Sequence, residues 1–146
     1  MCENSFSCIE PKECKEKHES WLEKAEKYVP IGEKEHEQFL TKLENGQATI
    51  LLDRHFKKRG VERSVSNKDV MEVINYGWCI ERNKTVGSIA LVLLGYVGVN
   101  KRPLHVVINM IAKDKWLVIT AYNPQSHAWK WSEFYNERVC FCNYEE

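Results

Sequence analysis

Apolar positions between residues 11 and 29 recur at helical spacing: Trp21, Leu22, Ala25, Tyr28 and Val29 repeat every three or four residues, with Glu and Lys between them. Pro11 suits a first helical turn, and Pro30 with Gly32 predicts a stop. A second helix is expected over 33–44, with Phe39, Leu40 and Leu43 on one side and Asn45-Gly46 ending it. Together these make a helical hairpin. After the apolar run Ile50-Leu51-Leu52, Asp53 is placed to cap a helix carrying His55. Ser66, with Asp69 three positions on, opens a helix over 68–76 that buries Val70, Val73 and Ile74 before Gly77. From Trp78 onwards the pattern is that of strands, over 78–82, 88–97, 104–111 and 116–122. Turns are expected at Asn83-Lys84, at Asn100 to Pro103 and at Lys113 to Lys115. Strands joined by short turns imply an antiparallel sheet of about four strands with the helices on one face, an α+β fold. Residues 1–45 read as a helical arm and 46–146 as the α+β domain.

Charge sharpens this division. The 146 residues sum to a net charge of zero, but residues 1–45 hold eleven Glu against seven Lys, a balance of −4. Residues 46–131 hold thirteen Lys and Arg against six Asp and Glu, a balance of +7. A basic globular part suits a polyanion, and an acidic arm can lie over it. An apolar fraction of 43%, with five Trp, six Tyr and five Phe, is enough for a packed core. The longest apolar run, Ile89 to Leu94, is strand-sized, so no membrane partner is expected. The polar, acidic start Met1-Cys2-Glu3-Asn4 lacks the pattern of a secretory signal, and a cytoplasmic location is expected.

Of the six cysteines, Cys2, Cys8 and Cys14 recur every six residues, Cys140 and Cys142 lie near the other end, and Cys79 falls in an expected strand. Free thiols are the expectation, because the spacings match no paired C-x-x-C knuckle. A zinc site using Cys8, Cys14, Cys140 and Cys142 would require the two ends of the chain to meet, and disulfides would require an oxidising compartment.

The densest candidate chemistry lies in Asp53 to Arg63. In a helix, His55, Arg59 and Arg63 fall at i, i+4 and i+8, putting an imidazole and two guanidiniums on one face. Such a face can hold a phosphate and move a proton near neutral pH; a solvated basic face with an incidental histidine has the same spacing. His105 lies inside an expected strand, either as a core histidine bonded to backbone or as a second imidazole facing the first across a phosphodiester. Tyr122 ends the last strand, where it can donate a hydrogen bond, stack on a base or simply pack. Trp129 and Trp131 flank Lys130, an arrangement that serves base stacking or packing on the sheet. No phosphate loop, nucleophile elbow or metalloprotease motif is present.

Four ordered blocks carry a resemblance: His55-x-x-x-Arg59-x-x-x-Arg63-Ser64-Val65-Ser66; then Val70, Gly77 and Ile80; then Pro103-Leu104-His105-Val106-Val107; and Val118-Ile119-Thr120-Ala121-Tyr122-Asn123-Pro124. Over roughly 48–130 they resemble an uncharacterised bacterial domain family known only as a domain of unknown function. That family is similar to the RelE/ParE-like and BrnT-like toxins, small α+β domains of which several cleave RNA. The resemblance implies a RelE-like fold, RNA as partner and an antitoxin-like protein as a second partner. It also implies a toxin-type endoribonuclease needing no metal or cofactor, with His55 and His105 as acid and base, Arg59 and Arg63 on the phosphate, and Tyr122 beside them. Phe56 stands where the family has a small residue, and Gly60 falls inside the expected helix, where it costs about 1 kcal/mol against alanine. The competing readings are a non-catalytic nucleic-acid or protein-binding module of the same fold, and an interaction protein stabilised by cysteines and zinc.

Overall fold

The computed structural model describes residues 11–53 and 65–141. Its first element, α1 (Pro11–Glu44), is a single helix of 34 residues, about 50 Å long at 1.5 Å per residue. The expected hairpin is therefore corrected to one rod, for a reason visible in its phase. The positions turned inward include Cys14, His18, Trp21, Ala25, Tyr28, Gly32, His36, Phe39 and Leu43, and they step by three or four straight through Pro30. Pro30 and Glu26, the residue whose carbonyl the proline leaves without its helical donor, are both exposed, so water can satisfy that carbonyl. Gly32 marks a close approach rather than a stop: a Cβ there would lie 2.7 Å from Cys79 Sγ.

Among the described residues, five strands and one further α-helix follow: β1 (Thr49–Leu52), α2 (Asn67–Tyr76), β2 (Trp78–Thr85), β3 (Ser88–Val97), β4 (Arg102–Ala112) and β5 (Lys115–Tyr122). They form one α+β sheet in the order β1-β5-β4-β3-β2. Three successive hairpins make the antiparallel part, as expected. The expected four-stranded antiparallel sheet becomes a mixed one of five, because β1 pairs with β5 in parallel, Thr49 opposite Lys115 and Leu52 opposite Val118. The first hairpin turns at Val86-Gly87, later than expected, since Gly87 supplies the positive φ of 77° that a tight turn needs. Ser66 caps α2 in a reciprocal capping box with Asp69.

One sheet face carries the main core. Val70, Val73 and Ile74 of α2 pack on Leu91, Leu93, Val106 and Ile108, while Phe39 of α1 stacks on Trp116 at 3.9 Å between ring centroids and 8° between planes. His36 is buried there, its Nε2–H donating to the Ile74 carbonyl at 2.7 Å, and burial lowers its pKa. The last part of α1 thus belongs to the same core as the sheet. On the opposite face Ile80, Val92 and Leu94 are covered by Trp131 and Tyr135, from a C-terminal strap over 131–141. The strap is held as a loop by the Trp131–Arg138 bridge and by Ser132 N–H donating to the Glu137 carbonyl at 2.8 Å. No helix among the described residues is long and apolar enough to cross a membrane.

Candidate functional site

His105 and Tyr122 face each other in register on neighbouring strands β4 and β5. Strand alternation turns both away from the α2 side, so His105 lies under the C-terminal strap. Its ring is fully buried. Nε2–H donates to the Tyr135 carbonyl at 2.7 Å, which leaves Nδ1 to accept from the Tyr122 hydroxyl at 3.3 Å. Trp131 meets the imidazole edge-to-face at 4.4 Å and Tyr122 does so at 5.2 Å. Burial pushes its pKa down to about 4. At neutral pH this is an uncharged imidazole with both nitrogens engaged, anchoring the strap to the sheet.

Tyr122 is only half buried and opens onto a recess at the end of β5. The chain builds this recess locally. Asn123 Oδ1 accepts the Gln125 N–H at 2.8 Å and starts a 3-10 segment, Pro124–Lys130, with Pro124 in its first turn. The segment kinks at His127 (φ −137°, ψ 52°). The Lys130 carbonyl then accepts both the Val139 and Cys140 N–H groups, at 2.8 and 3.2 Å, folding the strap back beside it. Arg138 is fixed by Nε–H donating to the Cys140 carbonyl at 3.1 Å and by its guanidinium lying 4.8 Å from the Phe141 ring centre. The resulting cavity of about 170 Å³ is bounded by Tyr122, Asn123, Pro124, His127, Lys130, Trp131 and Arg138. A wider hollow of about 430 Å³, lined by Tyr122, Asn123, Ser126 and His127, shares Tyr122, Asn123 and His127 with it. Three basic groups and two aromatic rings therefore converge where the sheet ends.

Of the residues singled out from sequence, His105 and Tyr122 are brought together, while His55, Arg59 and Arg63 lie outside the described residues. Thr120 stands opposite Val107, on the Tyr122 side of β5. His127 and Arg138 were not singled out as a site, and the only local signal was the Trp129-Lys130-Trp131 triplet. Trp131 proves to be a packing residue of the strap, and the Lys130 ammonium lies 5.1 Å from the Trp129 ring centre. Among the described residues, no group of three or more His, Cys, Asp or Glu is gathered as a metal site.

A family model, Domain of unknown function (DUF4258), matches residues 52–123, a stretch running from the end of β1 to the residue that starts the 3-10 segment. No curated protein and no solved structure matches the chain.

Proposed function

We propose that this protein binds single-stranded RNA in the cleft framed by Tyr122, His127, Lys130, Trp131 and Arg138, as a docking module. The observation that carries this reading is the convergence of His127, Lys130 and Arg138 on a recess walled by Tyr122 and Trp131. Phosphates are held by cationic side chains and unpaired bases by aromatic faces, so RNA-binding surfaces need both at one place. The two hollows divide the task. At about 170 Å³ the inner recess is below the usual range for an organic ligand but suits a phosphate between Lys130 and Arg138. The wider hollow of about 430 Å³ has room for a base against Tyr122 and His127.

Cleavage by a His55–His105 pair, implied by the family resemblance, calls on a histidine whose nitrogens are both engaged and whose proton affinity is depressed. A strap contact is the role its surroundings support. RNA incubated with the protein in EDTA is therefore expected to be recovered intact.

Fluorescence anisotropy with a labelled single-stranded RNA, read across a salt series, tests the binding reading. Lys130→Ala is expected to weaken binding several-fold and to reduce the salt slope by about 0.7, the value for one phosphate contact on a single strand. Tyr122→Ala is expected to weaken binding by about 1–3 kcal/mol through lost stacking, with little change in slope. Wild-type affinity in both variants would remove the cleft from RNA binding.

A further inference from the structure

Cys14, near the start of α1, and Cys140, at the end of the strap, bring their sulfurs to 3.8 Å although 126 residues separate them. That is a contact between two thiols, since a disulfide bond measures about 2.0 Å. Two further contacts hold the same segments together. The Phe141 backbone N–H donates to Cys14 Sγ at 3.2 Å, and His18 is paired with Glu137. Both cysteines are buried, but their cover is thin, being built from the half-buried rings of Trp129 and Phe141. Among the described residues no third metal ligand joins the two thiols, so sulfur meets sulfur.

Two thiols held in contact can do what distant ones cannot. In thiol–disulfide exchange a thiolate attacks an external disulfide, and the mixed disulfide that results must be resolved by a second thiol. Here the second thiol already lies against the first, which makes resolution an intramolecular step at high effective concentration. The Phe141 N–H favours the thiolate at Cys14, because a hydrogen bond to the charged form stabilises it. Cys14 is thus the attacking sulfur and Cys140 the resolving one. Bond formation asks the two sulfurs to approach by about 1.8 Å.

We propose that Cys14 and Cys140 form a redox modification site, converted by a low-molecular-weight disulfide into an intramolecular bond that locks the start of α1 to the C-terminal strap. The exchange balances. The Cys14 thiolate attacks one sulfur of the small disulfide, breaking its S–S bond and expelling one small thiolate. Cys140 then attacks the Cys14 sulfur and expels the second. The protein thiols lose two electrons, the small disulfide gains them, and the two protein protons pass to the released thiols. Cys79 provides the internal contrast. It is buried against α1, its Sγ–H donates to the Glu81 carbonyl at 3.4 Å, and burial pushes its pKa up to about 12, so it stays a thiol. The proposal does not depend on the RNA reading, because it concerns what fastens the strap rather than what the cleft binds.

The test uses full-length protein purified under reductant and equilibrated, folded, with mixtures of reduced glutathione and glutathione disulfide. Quenching with an alkylating agent, digestion and mass spectrometry are expected to give one linked peptide pair, Cys14 to Cys140 within one chain, with Cys79 alkylated. Such a bond closes a long loop, so the melting temperature is expected to rise by about 5–15 °C on oxidation and to return with dithiothreitol. Cys79→Ser is expected to keep both the bond and the rise, and Cys14→Ser and Cys140→Ser to lose both. Should a serine variant misfold, the peptide map of the wild-type chain still decides. A folded chain that keeps Cys14 and Cys140 as thiols in excess glutathione disulfide would overturn the proposal. So would a bond from either cysteine to another cysteine or another chain, or a glutathione adduct left unresolved at Cys14. A Cys14–Cys140 bond that leaves the melting temperature unchanged would contradict the lock.

Discussion

His105 is a residue whose type alone suits either a catalytic or a structural part. Residue type and strand position could be read from the sequence, and both allowed either part. The contact that engages its Nε2 comes from Tyr135, 30 residues away, on a strap whose path no local pattern encodes. The contact has a pH signature. In the unfolded chain a histidine takes its proton near pH 6.5, but the folded His105 resists until about 4. Between those values the unfolded state binds more protons, so stability falls as pH falls through that window and is fully present above it. The shift corresponds to a loss on the order of 3 kcal/mol by pH 4. His36, also lowered by burial, acts in the same direction. Urea unfolding at pH 7 and at pH 4.5 is expected to show this loss in the parent and a smaller one in His105→Gln, which starts less stable at pH 7. Equal pH dependence in the two proteins would mean that His105 is not held neutral.

At the scale of elements, α2 and the three hairpin strand pairs were legible because their signals are local: a capping box at Ser66 and Asp69, and apolar runs separated by turn residues. Two features were not. In α1 the Pro30-Ile31-Gly32 triplet looks like a stop, whereas the inward positions on either side share one phase. That phase was available in the sequence, but its weight depended on knowing that Gly32 packs against Cys79. β1 was missed because Thr-Ile-Leu-Leu is only four residues long and its partner β5 begins 66 positions after it, at Lys115 opposite Thr49. Parallel pairing over such a distance leaves no local trace. If α1 is one rod, Pro30→Ala is expected to add about 1–3 kcal/mol of stability and some helical circular dichroism, since it restores an interior hydrogen bond. Loss of stability would argue for a break at that point. Gly32→Ala is expected to cost about 1–3 kcal/mol by pressing a methyl against Cys79. The Cys79→Ala background should relieve much of that cost, and a double-mutant cycle in denaturant reads the coupling. Simple additivity would contradict the close approach.

Across the whole molecule, α1 touches both ends of the architecture. Its first turns meet the strap through Cys14 and His18, and its last turns enter the core through His36 and Phe39. A chain beginning at Gly46 would lose Phe39 from its stack on Trp116, so it is expected to unfold or aggregate rather than reveal an uncovered basic face. The charge asymmetry pointed to a polyanion, but the sequence could not say where it would dock. The cleft needs Tyr122 from β5, His127 and Lys130 from the 3-10 segment, and Arg138 from the returning strap, and only folding makes them neighbours. Photo-crosslinking with a single-stranded RNA carrying 4-thiouridine, followed by mass spectrometry of the adducts, tests that placement most directly. Adducts are expected on peptides containing Tyr122, His127 or Trp131, and they should diminish in Lys130→Ala. RNA bound without adducts at those residues, or crosslinked instead to the aromatic surface of Trp78, Tyr96 and Phe134, would contradict it.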